Sequence, residues 1–312
     1  MNDPSATAPD GRHRSHRGAR ALLAAALTGT LVLAGCATTY PSTPSASPAP
    51  IETTSATAST VLPTASDSAT PTQSAPTASE TTTATTNPAQ CPTPPDSFVK
   101  TAPGEGKTVA LTFDDGPAPA DPEIVEVLAR YNVRATFFVT GQHAEASPDV
   151  LRLIADGGNL LADHSYEHQY PSAVSGGWTV SYLTSEMKRT NAAIATASRL
   201  PVCYFRPPGG YTTNVLAAAS KQRMTSVLWS VDSLDWKQPS TTTAAATKAI
   251  VTAATEVGSQ QHPIVLMHSG KASHESNASV SPNRSNTVAA LPAIIEWYDA
   301  HGYTFVRLDG VQ

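Results

Sequence analysis

The C-terminal 222 residues, Cys91 to Gln312, predict an α/β domain built on a parallel sheet or barrel. Short, nearly continuous apolar runs recur along the segment, as strands buried on both faces do. Amphipathic helical patterns alternate with them. The length suffices to bury a substantial core in a single unit. In order, the apolar runs are Val109–Phe113, Ala135–Val139, Leu160–Ala162, Val202–Phe205, Ser226–Trp229, Ile264–Met267 and Thr304–Val306. The helical patterns between them are Glu123–Tyr131, with Ile124, Val127 and Leu128 on one face, then Pro148–Asp156, Leu183–Ser198, Thr213–Ser220, Thr242–Val257 and Val288–His301.

The first 90 residues read differently. Arg12, Arg14, Arg17 and Arg20 precede an apolar run, Ala21 to Leu33, and then Leu33-Ala34-Gly35-Cys36. A basic start, a short apolar core and small residues make a secretory signal. The run is too short for the roughly 20 residues of a membrane span. The Leu-Ala-Gly-Cys ending resembles a bacterial lipobox, which implies cleavage before Cys36 and lipidation of its thiol, so residues 1–36 are expected to be a lipoprotein signal. Plain secretion is the alternative. In residues 37–90, Ser, Thr, Pro and Ala make up 44 of 54 positions, and the charges are Glu52, Asp67 and Glu80. Such a segment has no core to offset the entropy of ordering. The expected organisation is a disordered linker over 37–95 and a catalytic domain over 96–312. The 20 Lys and Arg against 25 Asp and Glu give a net charge of −5, which excludes phosphate-neutralising nucleic-acid binding. A monomer tethered at the outer face of a membrane by acyl chains is the expectation.

Polar clusters stand where the predicted strands end: Thr112-Phe113-Asp114-Asp115-Gly116-Pro117, Asp163-His164-Ser165-Tyr166-Glu167-His168, Phe205-Arg206-Pro207-Pro208-Gly209-Gly210, Trp229-Ser230-Val231-Asp232-Ser233-Leu234-Asp235-Trp236 and His268-Ser269. Each alone has an ordinary reading. Asp-Asp-Gly-Pro is good turn chemistry, the His pair spaced by four can be an exposed pair, and Asp235-Trp236 can cap a helix. Together, at strand ends of an α/β domain, they suit metal-assisted hydrolysis. Two imidazoles and a carboxylate fit a divalent ion such as Zn²⁺, Co²⁺ or Ni²⁺, with Mn²⁺ a further choice. A second carboxylate can serve as base, and a further histidine as acid.

In this order the clusters resemble the five motifs of the polysaccharide deacetylases of the NodB-homology type, carbohydrate esterase family 4. The resemblance spans about residues 107–308 and includes the run Arg284-Ser285-Asn286-Thr287. It implies a distorted (β/α) barrel with fewer than eight regular strands. It implies Asp115, His164 and His168 as metal ligands, Asp114 as general base oriented by Arg206, and His268 as general acid held by Asp235. It implies Trp236 and Leu266 around the acetyl methyl, and a backbone N–H of the third motif, near Pro208 and Gly209, at the oxyanion. Where relatives carry an aromatic residue after Arg-x-Pro, this chain has Gly209, and Tyr211 is a candidate substitute. Asp232 is the alternative to Asp235; the family pattern favours Asp235, which directly precedes Trp236. The stretch Ser269–Asn283, with His274 and Asn277, is expected to be a surface insertion rather than a wall of the substrate groove.

With Cys36 assigned to lipid, Cys91 and Cys203 are an even pair in an oxidising compartment and are expected to be bonded, two free thiols being the alternative. The implied activity is hydrolysis of N-acetyl groups on cell-wall polysaccharide, peptidoglycan first. Chitooligosaccharide, acetylxylan and a catalytically silent wall-binding protein are the alternatives.

Overall fold

All long pairings of the sheet are parallel, so its strands deliver their C-terminal ends to one edge. The computed structural model describes residues 91–198, 200–277 and 282–312. The expected signal, Cys36 and the linker up to residue 90 lie outside these residues. The described chain falls within one compact unit, Pro76–Gln312.

The strands are β1 (Thr108–Gly116), β2 (Thr136–Val139), β3 (Leu160–Asp163), β4 (Tyr204–Phe205), β5 (Thr225–Ser226), β6 (Val231–Asp232), β7 (Ile264–His268) and β8 (Thr304–Phe305). Their order is β5-β4-β3-β2-β1-β7-β6, with β8 paired to the start of β1. Four of the eight are two-residue fragments, so the architecture is a curled parallel sheet with few regular strands. Strand β1 is central, and every one of its nine residues is buried, as its unbroken apolar pattern requires.

Helices cover the sheet: α1 (Asp121–Arg130), α2 (Gly141–Ala146), α3 (Pro148–Asp156), α4 (Val180–Ser198), α5 (Val215–Lys221), α6 (Ala244–Ala254) and α7 (Ser285–Ala300). Pro stands in the first turn of α1 and α3, where its missing N–H costs nothing. Helix α1 buries Ile124, Val127 and Leu128, the stripe its spacing predicts. The core brings Leu111 and Phe113 of β1 together with Phe137, Leu151, Ile154, Leu183 and Leu291.

Three elements differ from the sequence pattern. Helix α2 has six residues and buries only Gly141 and Ala144, too little to make a stripe. Strand β6 is two residues long. Strand β5 ends at Ser226 rather than running to Trp229, because the N-terminal segment intervenes. Val99 bridges Val227 and accepts the Leu228 N–H. This frees Trp229 to turn toward the polar edge.

Cys91 is buried and disulfide-bonded to Cys203, with Cα atoms 5.3 Å apart and the two cysteines 112 positions apart along the chain. The bond ties Cys91 to the strand before Arg206. Cross-linking so long a loop restricts the unfolded chain strongly. Replacing Cys91 by Ser is expected to lower stability by about 3–4 kcal/mol, read from denaturant unfolding. A loss under about 0.5 kcal/mol would show the bond to be dispensable.

Candidate active site

Adjacent residues of a strand normally face opposite sides, yet Asp114 and Asp115 reach the same cavity. The register of β1 against β2 shifts between Asp114 and Gly116, so Asp115 is a bulge. Its φ is 70°, in the left-handed region. That conformation is costly for a residue other than glycine and concentrates at functional sites. Asp114 is paired in register with His268 of the neighbouring strand β7.

The second motif leaves β3 as a tight loop, with Ser165 at φ 64° and His168 at φ 55°. Two buried carboxylates hold it. Asp163 accepts the N–H of Ser165 at 2.7 Å, and Glu186 of α4 accepts those of Tyr166 and Glu167 at 3.1 and 2.8 Å. Burial raises Asp163 well above the usual carboxylate range. The loop folds His164 and His168 over Asp115. His164 Nε2 is 3.6 Å and His168 Nε2 3.4 Å from Asp115 Oδ1.

These residues fit a divalent ion. One ligand atom from each of Asp115, His164 and His168 lies within 4.8 Å of the others. Separations near 3.4 Å are those of neighbouring donors bound to one ion at about 2.1 Å. Asp115 Oδ1 is buried without a hydrogen-bond partner, a state that costs free energy unless a cation answers it. Burial alone would raise Asp115, but its surroundings, His168 first and then His268, His164 and Arg284, outweigh it and hold the carboxyl at about 2. Burial, against the pull of Asp115, lowers His168 to about 3, leaving a neutral imidazole able to ligate. His164 is oriented through its Nδ1, 2.8 Å from the carbonyl of Arg206, the supporting contact typical of ligating histidines.

Arg206 is fully buried and reaches Asp114 Oδ1 at 2.7 Å, Thr112 Oγ1 at 2.9 Å and the Leu228 carbonyl at 3.3 Å. Its guanidinium lies 4.0 Å from the centre of the Phe138 ring. The other oxygen, Asp114 Oδ2, stands 3.5 Å from His164 Nε2.

Across the cavity, His268 Nδ1 is 2.8 Å from Asp235 Oδ1, and the His268 N–H donates to Asp235 Oδ2 at 2.7 Å. Thr287 Oγ1 donates to the same Oδ2 at 2.9 Å. Burial would lower His268, but the Asp235 charge and hydrogen bond prevail and raise it to about 9. Asp235, not Asp232, is thus the partner; Asp232 accepts the Leu234 N–H in a local turn. Leu234, at φ 55°, swings Asp235 under the histidine.

A cavity of about 320 Å³ joins these groups; its walls include Asp114, Asp115, His164, His168, His268, Leu266 and Trp236. Gly209 and Tyr211 also line it, whereas Pro208, expected at the substrate, stays out of the wall. Pro208 is buried at the start of the 3-10 turn Pro208–Gly210 that presents its neighbours. Gly209 sits at φ 60°, where a side chain is strained, and a Cβ there would press on Tyr170 at 3.0 Å and Tyr211 at 3.1 Å.

Sequence reasoning missed Tyr170, Trp229, Glu275 and Arg284, which also line the cavity. Arg284 carried a signal through the Arg-Ser-Asn-Thr run, and Trp229 as the first residue of the fifth cluster. The surface insertion expected over Ser269–Asn283 is corrected at Glu275, which forms part of the wall.

The polysaccharide deacetylase profile matches residues 101–227. A chitooligosaccharide deacetylase of Rhizobium leguminosarum bv. trifolii is 34% identical over 207 residues, covering 65% of this chain and 91% of that protein. A peptidoglycan-N-acetylglucosamine deacetylase of Bacillus cereus is 31% identical over 214 residues, covering 68% and 70%. A family 4 carbohydrate esterase from Streptomyces lividans, solved with acetate, superposes with a TM-score of 0.52 at 34% identity, covering 64% of this chain and 92% of that one. Sequence kinship at 34% identity over 91% of the Rhizobium deacetylase, with the fold likeness to the Streptomyces esterase, places this chain in the polysaccharide deacetylase family, carbohydrate esterase family 4, as a hydrolase of that class.

Proposed function

We propose that the domain hydrolyses N-acetyl groups of N-acetylglucosamine in cell-wall polysaccharide, peptidoglycan first, with one divalent ion held by Asp115, His164 and His168. The observation that carries this reading is the opposition, across one cavity, of a carboxylate tied to Arg206 and an imidazole tied to Asp235. Zn²⁺ suits the donor set best, with Co²⁺, Ni²⁺ and Mn²⁺ as alternatives. When bound, the ion polarises the acetyl carbonyl and acidifies water.

The chain's own residues supply the proton transfers. Asp114 takes the proton of the attacking water, and the hydrogen bond from Arg206 keeps it aimed. Trp236 and Leu266 receive the acetyl methyl. The first N–H after Pro207 and Pro208, that of Gly209, meets the carbonyl oxygen as charge develops there. His268 gives its proton to the departing sugar nitrogen. Atoms balance as amide plus water yields acetate and amine.

The wall assignment rests on the expected lipobox Cys36 and the Ser/Thr/Pro/Ala-rich linker, which together present the domain to peptidoglycan from the outer face of the membrane. Among the described residues no helix is long and apolar enough to cross a membrane. The domain is proposed to act as a monomer. Acetate release, measured side by side on peptidoglycan, chitooligosaccharide and acetylxylan, is expected to be fastest on peptidoglycan and to stop on chelation. Fastest release from chitooligosaccharide would move the substrate to the first alternative. Polymer binding with no acetate release under any divalent ion would mark a silent member of the fold.

A further inference from the structure

The loop after His268 carries a carboxylate that the reaction does not use. Glu275 lines the cavity, and both of its oxygens are fixed. Oε1 accepts the Tyr170 hydroxyl at 2.8 Å and Oε2 the Ala272 N–H at 3.2 Å. The loop itself is fastened to the site. The His274 ring packs 5.5 Å from His168 and 5.4 Å from Tyr170. Ser273 Oγ lies 3.0 Å from His143 Nε2, and His143 Nδ1 lies 2.8 Å from the Asp115 carbonyl. The nearby ammonium of Lys271 donates to the carbonyls of Glu275 and Ala272 at 2.6 and 3.0 Å, not to the carboxylate. One ligand atom from each of His168, His274 and Glu275 lies within 4.8 Å of the others, and Glu275 is the carboxylate of that cluster.

Deacetylation turns a neutral amide into an amine, which is a cation at neutral pH. The nitrogen being freed is served by His268, held on the Asp235 side. Glu275 sits instead with Tyr170, whose ring packs 5.5 Å from His168. Resting on the deacetylase reading, we propose that Glu275 binds the free ammonium of an already deacetylated sugar beside the one being hydrolysed. The rings of Tyr170 and Tyr211, 5.7 Å apart, offer apolar faces to that sugar. An N-acetyl group carries no charge, so the carboxylate discriminates between neighbours through a charge-assisted hydrogen bond. The domain thereby favours partly deacetylated polymer.

The test compares kcat/KM on a fully N-acetylated oligosaccharide with that on one bearing glucosamine next to the reacting residue. Glu275→Gln is expected to lower the preference for the mixed substrate about tenfold. An unchanged ratio in Glu275→Gln, or an equal fall on both substrates, overturns the proposal. A second measurement needs no turnover. Trp229 and Trp236 line the cavity, so their fluorescence reports binding of a glucosamine oligomer. Glu275→Gln is expected to weaken that binding about tenfold, and equal binding overturns the proposal. If the protein binds this oligomer through Glu275 yet releases no acetate, the deacetylase reading alone fails.

Discussion

Asp114→Asn is expected to reduce acetate release by about 10³-fold or more, because general-base transfer contributes about 10²–10⁴. The substitution preserves shape and removes the proton acceptor. The three candidate ion ligands are untouched, so the affinity for a divalent ion, read by direct titration, is expected to stay within a few-fold. Stability also falls. Arg206 is fully buried and donates to Asp114 at 2.7 Å, and an amide answers a buried guanidinium less well than a carboxylate. The loss is expected to be about 2–3 kcal/mol, read from denaturant unfolding at a temperature where both proteins are folded. Full activity in Asp114→Asn would remove Asp114 from the proton path.

Asp235→Asn is expected to move the alkaline limb of kcat downward. The sign follows from the pair. Asp235 raises His268 to about 9, so the acid keeps its proton through neutrality and loses it as pH rises through that value. Without the Asp235 charge, burial draws the imidazole down against the remaining pull of Asp115. The limb then moves to lower pH, and the rate near pH 8 drops by about 10-fold or more. Thr287 and the His268 N–H still have a side-chain oxygen to donate to, so the local fold survives. A pH–rate profile that overlays the wild type would show that Asp235 does not set the acid. The same linkage acts on stability. The protonated His268–Asp235 pair stabilises the fold fully below the ordinary histidine pKa, and that contribution is lost as pH rises through about 9.

Much of the fold was legible because burial on both faces leaves a run of apolar residues that local reading detects. Strands β1, β2, β3 and β7 and helix α3 stand close to where the pattern puts them. Strand β6 and helix α2 were not legible, since neither buries enough side chain to leave a period. The cavity followed the same division. Asp114, Asp115, His164, His168, Arg206, Asp235 and His268 are motif residues and come together in space. Glu186 lies on a helix 18 residues beyond His168 and supports the second motif by accepting two N–H groups. Nothing in its neighbourhood along the chain announces that task.

By itself the sequence determined the α/β class, the residue types of the site and their grouping at strand ends, because these depend on local periodicity and on which side chains can do acid, base or ligand chemistry. Tertiary structure decided how they face one another. The left-handed bulge at Asp115 turns two neighbouring carboxylates into one cavity, against the alternation a regular strand imposes. The choice of Asp235 over Asp232 rests on the turn at Leu234. The place of Glu275 in the wall rests on its bond to Tyr170, 105 residues away. Such contacts depend on distances between segments remote in the chain, which no local pattern encodes.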